Sequence, residues 1–179
     1  MIRAGDVFGV KGSGPLFGAI RTVQYINSRD NESTYGHSAI ILDAKGTVLD
    51  TRWRVGRTSL DLYAGQQIII ARPVEWISQD GLSSGPINES TILTTLKAME
   101  VNDTGRWYPV HRLFLHLIPP VAKFLHIKRF QVCSERTAAY LQAIGARPKP
   151  IGGSTPDMLA DEWRRWRNYQ IIFEGIQPA

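Results

Sequence analysis

The chain has a single cysteine, Cys133, in "FQVCSERTAAYLQAIG" (130–145), where an extended apolar stretch gives way to a helical pattern. If the helix starts near residue 133 or 134, unpaired N–H groups and the positive end of the helix dipole meet at the thiol. Both favour thiolate over thiol, and the same N–H groups can hold an oxyanion during acyl transfer. Thr137, Tyr140, Leu141 and Ile144 follow i, i+3, i+4, i+7, and one turn back on that face is Cys133, turned inward toward a sheet. A free cysteine is also among the most buried residue types, and the segment taken alone fits a small packing hydrophobe better.

A nucleophilic thiol needs a base, and the histidines are His37, His111, His116 and His126. His37 opens the β-rich run "HSAIILDA", so its ring can sit at a sheet end. Strict alternation groups His37 with Ala39 and Ile41 on one face, which a helix is expected to cover. A strand-end histidine bonded to backbone is the plainer alternative. The other three lie in a Leu/Phe-rich region and read as packing residues. A zinc site built from them would need a carboxylate at matching spacing, and none stands out, so no metal or cofactor is expected.

The third requirement is a polar acceptor that orients the imidazole. Asp50, inside "TVLDTRW", is a charge in an otherwise apolar strand and is costly there unless paired. A hairpin turning at Lys45–Gly46 can carry it back beside the His37 strand. Asp43 is the competing carboxylate, but its place just before the turn suits a turn cap. A solvent-facing role for Asp50 stays open on pattern alone.

The elements that would position these groups read as strands first and helices after. "DVFGV", the 37–53 hairpin and "QQIIIARPV" (66–74) are of strand type, and "YQIIFEG" closes the chain as another. "PLFGAIRTVQYIN" (15–27) has helical spacing behind a proline. "NESTILTTLKAMEV" (88–101) offers Asn88 as cap, and "TPDMLADEWRRW" begins with Thr155, Pro156 and Asp157 and ends in arginines, as the helix dipole prefers. Two short apolar helices or loops are expected around a Pro-Pro break at 110–127. This order predicts a single α+β domain over residues 1–179 with a mostly antiparallel sheet packed against helices.

At 179 residues the chain can bury a proper core. One cysteine excludes an internal disulfide and hence a stapled secreted scaffold. "MIRAGDVFGV" does not read as a signal peptide, and "LFLHLIPPVAKFL" is too interrupted to span a bilayer, so a soluble cytoplasmic protein is expected. The net charge of +5 favours anionic partners such as a cell-wall polymer or lipid head groups. Its positive residues do not interleave with aromatics as a nucleic-acid footprint would, and no nucleic acid is expected.

In order along the chain, "GDVFGVKG…YGHSAIILDAKGTVLDTRW…WY…QVCSERTAAYL" resembles the circularly permuted branch of the NlpC/P60 papain-like superfamily, the YiiX-like group related to lecithin–retinol acyltransferase. Gly5–Asp6, Tyr35–His37, Val48–Asp50, Tyr108 and Cys133–Glu135 carry the likeness over about residues 5–141. It implies a permuted papain-like fold with Cys133 as nucleophile, His37 as base, Asp50 as the group orienting it, and Tyr35 and Tyr108 lining a substrate site. Asp50 stands where the group usually has Glu, and Tyr108–Pro109 where many relatives have Tyr-Asp. The implied activity is a cysteine amidase or peptidase acting on a cell-wall peptide or another small amide. Two alternatives remain: a lipid-directed acyltransferase or thioesterase on a membrane surface, motivated by "HRLFLHLIPPVAKFLHIKRF", and a non-catalytic binding module.

Overall fold

Short runs of β-branched and apolar residues form strands, and these pair antiparallel both through hairpins and across long stretches of sequence. The computed structural model describes residues 1–12, 18, 34–51, 54–107, 133–148 and 154–178. The strands are β1 (Val7–Val10), β2 (His37–Ile41), β3 (Thr47–Thr51), β4 (Val55–Ser59), β5 (Gln67–Pro73), β6 (Glu75–Ile77), β7 (Ser84–Pro86) and β8 (Tyr169–Ile176). Six of them make one sheet in the order β4-β3-β2-β1-β5-β8, each neighbour pairing antiparallel. Strands β6 and β7 form a separate two-stranded ribbon. Among the described residues three helices accompany the sheet: α1 (Glu89–Asp103), α2 (Cys133–Ala143) and α3 (Pro156–Arg165). The architecture is α+β with an antiparallel six-stranded sheet. Apart from Gly18, the helix expected at 15–27 falls outside the described residues, as do the helices or loops expected at 110–127.

The helix starts follow their caps. The Asn88 side chain accepts from the Ser90 N–H at the start of α1, and the Thr155 hydroxyl accepts from the Met158 N–H ahead of Pro156. In α2, Thr137, Tyr140 and Leu141 are buried, as is Ile144 just past its end, as their spacing predicts. The apolar members join Val7, Ile40 and Ile69 from the sheet, Ile92 and Leu96 from α1, and Leu159, Ala160 and Trp163 from α3 in one core. A second core on the other sheet face contains Phe8, Val10, Ala39, Ile41, Val48, Ile68 and Ile70. Leu60 and Tyr63 complete it from a 3-10 turn over Leu60–Tyr63.

These two cores correct one expectation. The helices cover the face that carries Ser38 and Ile40, where the Ser38 hydroxyl meets α2, and not the face of Ala39 and Ile41. Strand alternation gives two faces but does not say which one a helix chooses. On the helix face Gly9 of β1 lies close to Ile69, whose Cγ2 a Cβ there would meet at a tight 3.1 Å, while the rings of Tyr35 and Trp163 pack at ordinary contact distance.

Two glycines are required by position. Gly46 turns the β2–β3 hairpin at φ +84° while Asp43 caps the turn, accepting from the Lys45 and Thr47 N–H groups. Gly5 sits at φ +89°, and a Cβ there would lie 2.5 Å from Ile92 Cγ2 and 2.7 Å from the Tyr140 hydroxyl, which donates to the Gly5 carbonyl. Its neighbour Asp6 is wholly buried and bidentate with Arg72, at 2.8 Å to each carboxylate oxygen. The Gly-Asp pair at the head of the chain thus ties β1 to β5 and lets α1 and α2 close over it.

Candidate active site

The β2–β3 register pairs Ile40 with Leu49 and Ile41 with Val48. Continuing it sets Asp50 across from Ala39, on the His37 face and diagonal to His37, within reach of a long side chain. The imidazole closes that gap: His37 Nε2 lies 2.5 Å from Asp50 Oδ1. The shorter aspartate therefore reaches the ring. Asp50 takes two more donors, the Thr51 N–H on Oδ1 at 2.6 Å and the Tyr63 hydroxyl on Oδ2 at 2.6 Å. A carboxylate that is 3% exposed must be satisfied in this way or be destabilising.

Cys133 is the first residue of α2 and is 4% exposed, against 3% for His37. The thiol hydrogen-bonds to the His37 ring and receives the backbone N–H of Ser38. One buried imidazole is thus coupled to both the carboxylate and the thiol.

One contact docks the helix start on the strand end, and two more steady its first turn. Ser38 Oγ meets Thr137 Oγ1 at 3.2 Å, Thr137 Oγ1 donates to the Cys133 carbonyl at 3.1 Å, and Ser134 Oγ donates to the Ser154 carbonyl at 2.6 Å. Ser38 therefore serves both sides: its side chain docks the helix and its backbone N–H points at the sulfur. His37, although it belongs with the opposite sheet face, meets the thiol because both sit at an end, the ring at the start of β2 and the sulfur at the start of α2.

The electrostatics follow from burial opposed by pairing. Burial would push the His37 imidazole down, but attraction from Asp50 and then from Cys133, with a hydrogen bond to each, raises it to about 10. Burial would push the Cys133 thiol up; the facing imidazolium and the Ser38 N–H overcome this and lower it, with Asp50 opposing from farther back. Asp50, despite burial, is held below the usual carboxylate range by His37, Tyr63 and the Thr51 N–H. All three directions favour a thiolate–imidazolium pair steadied by a carboxylate.

Tyr35 is not brought to this site. It is fully buried in the helix-side core, its hydroxyl bonded to Glu174 at 3.1 Å and to Arg164 at 3.2 Å, and its backbone N–H donates to Asp157. That placement suits packing rather than contact with a substrate. Tyr108 lies outside the described residues, as do His111, His116, His126 and the apolar basic stretch that motivated a membrane surface. Among the described residues no group of three metal-ligating side chains converges, and no helix is long and apolar enough to cross a membrane.

Sequence reasoning missed Tyr63. It sits in a 3-10 turn with no periodicity to mark it, and the usable signal was indirect: a buried Asp50 needs more donors than one imidazole supplies. No family model matches the chain, and no curated protein matches it either.

Proposed function

We propose that this chain is a cysteine hydrolase of the amidase or peptidase type, with Cys133 as nucleophile, His37 as general base and acid, and Asp50 orienting the imidazole. One observation carries the reading: the buried His37 ring binds the Asp50 carboxylate through Nε2 and also interacts with the only thiol of the chain. A cysteine that merely packs needs no such partner. The antiparallel α+β fold with its histidine strand before its cysteine helix agrees with a permuted papain-like, NlpC/P60-type arrangement, which is part of the same proposal.

The chemistry balances without a cofactor. The Cys133 thiolate attacks the amide carbonyl, and the charge that develops on oxygen is met by backbone N–H groups at the start of α2. The imidazolium of His37 then gives its proton to the leaving amine as the C–N bond breaks, leaving a thioester and neutral imidazole. A water molecule returns a proton to His37 while its oxygen attacks the thioester, and collapse releases the carboxylic acid and the thiolate. Asp50 orients the ring through Nε2, and Tyr63 and the Thr51 N–H keep Asp50 in place. The substrate class that fits the net positive charge and the sequence resemblance is an amide in an anionic cell-wall peptide.

The pH dependence has a definite sign. Below the lowered thiol pKa the nucleophile is protonated, and above about 10 His37 has lost the proton it must donate. Turnover should therefore trace a bell whose acid limb lies below the ordinary thiol range and whose alkaline limb lies near 10. Peptidoglycan fragments and acyl esters, screened against wild type and Cys133→Ala, test the activity itself. Turnover by wild type and its loss in a folded Cys133→Ala protein is the expected result; equal rates would remove Cys133 as nucleophile.

A further inference from the structure

Arg136 lies one turn after Cys133 in α2 and is 5% exposed, yet nothing in the reaction above uses it. A buried guanidinium is retained only against substantial desolvation, so its partners matter. Its Nε donates to Asp103 Oδ2 at 3.0 Å, at the end of α1, and its Nη1 donates to Thr51 Oγ1 at 2.5 Å, at the end of β3. Thr51 is also the residue whose N–H holds Asp50. A single side chain therefore links the helix that begins with the nucleophile to the strand that carries the orienting carboxylate.

Asp103 is shared between Arg136 on Oδ2 and Arg106 on Oδ1, the latter also at 3.0 Å. Two guanidiniums thus share one carboxylate behind the first turn of α2, which itself carries the buried Glu135. The charged groups that act on the sulfur are His37 and Asp50 from the sheet and Arg136 from its own helix, with Asp103 and Arg106 packed against Arg136 and the buried Glu135 beside it in the same turn.

From this geometry we infer that Arg136 is a positioning residue for the proposed hydrolase: it locks α2 to β3 through Thr51 and supplies a fixed positive charge that favours the Cys133 thiolate. It does not touch the reacting atoms. The inference rests on the cysteine-hydrolase reading, and the two fail differently.

The readout is the pH midpoint of Cys133 alkylation by iodoacetamide in the intact protein. Arg136→Met should raise the midpoint by about 0.5–1 on the pH scale, a roughly 3- to 10-fold loss of thiolate on the acid limb. Arg136→Lys, which keeps the charge, should restore most of it. Asp103→Asn removes the opposing negative charge and should move the midpoint the other way, downward. A purely structural role would loosen the site in both Arg136→Met and Asp103→Asn and move their midpoints in the same direction, which would overturn the inference, as would midpoints equal to wild type. If Arg136→Met does not fold, the sign of the change in Asp103→Asn decides. An ordinary free-thiol midpoint in wild type itself would instead overturn the hydrolase reading.

Discussion

Replacing His37 with alanine should move the alkylation midpoint of Cys133 from below the ordinary thiol range to above about 8.5. The direction follows from what remains. Without the imidazolium, burial still penalises the thiolate and Asp50, now facing the sulfur with no cation between, repels it; the Ser38 N–H is the main stabilising contact left. On the acid limb, thiolate falls about tenfold for each step of one pH unit by which the midpoint rises. Any amide turnover should fall by about 10²–10⁴-fold as well, since the general acid is gone. His37→Gln, which keeps more of the side-chain volume, should move the midpoint the same way and guards against a packing defect in the alanine variant. A midpoint unchanged from wild type in both would mean that imidazole and thiol do not share a proton equilibrium.

Asp50→Asn is the second large effect, and it acts through His37. The asparagine preserves shape but removes the attraction that raises the imidazole, so burial is opposed only by Cys133. The His37 pKa should drop well below about 10, measured by NMR titration of its ring protons. The alkaline limb of the activity bell should move down with it. Stability should fall too. Removing one partner of a buried ion pair typically costs about 3–5 kcal/mol, and Asp50 also anchors the Tyr63 hydroxyl and the Thr51 N–H. The pH dependence of stability gives a further check. A His37 raised above 6.5 contributes stability that is fully present below that pH and is lost as pH rises through about 10, so the stability gap between wild type and Asp50→Asn should narrow toward alkaline pH. Equal stability across that range, with an imidazole at its wild-type pKa, would contradict the pairing.

Local signals made part of the fold and site legible in the sequence. Caps and turns belong here: Asn88 and Thr155 start their helices, and Asp43 serves the hairpin turn and so leaves Asp50 as the carboxylate for His37. The inward face of α2 was legible from its spacing. The face assignment of His37 was not, because a strand flanked by apolar residues on both sides has no polar face to mark the outside. Strand β4, "VGRTS", has too few apolar residues to announce itself, and it forms because β3 offers an edge to pair with. The β6–β7 ribbon has three residues in each strand, below the length at which alternation can be recognised. Tyr63 and Arg136 were missed for one shared reason: each serves a site residue distant in sequence, 13 positions back to Asp50 and 85 back to Thr51.

The chain's single thiol makes the thiolate–imidazolium pair directly measurable. The ultraviolet absorbance of the thiolate, taken as the difference between wild type and Cys133→Ser and followed from acid to alkaline pH, reports the ionisation of Cys133 alone. An ion pair at His37 and Cys133 requires a thiolate signal that persists well into the acid range. A signal that emerges only above about pH 8.5 would show a neutral, buried thiol beside a neutral imidazole and would contradict the pair.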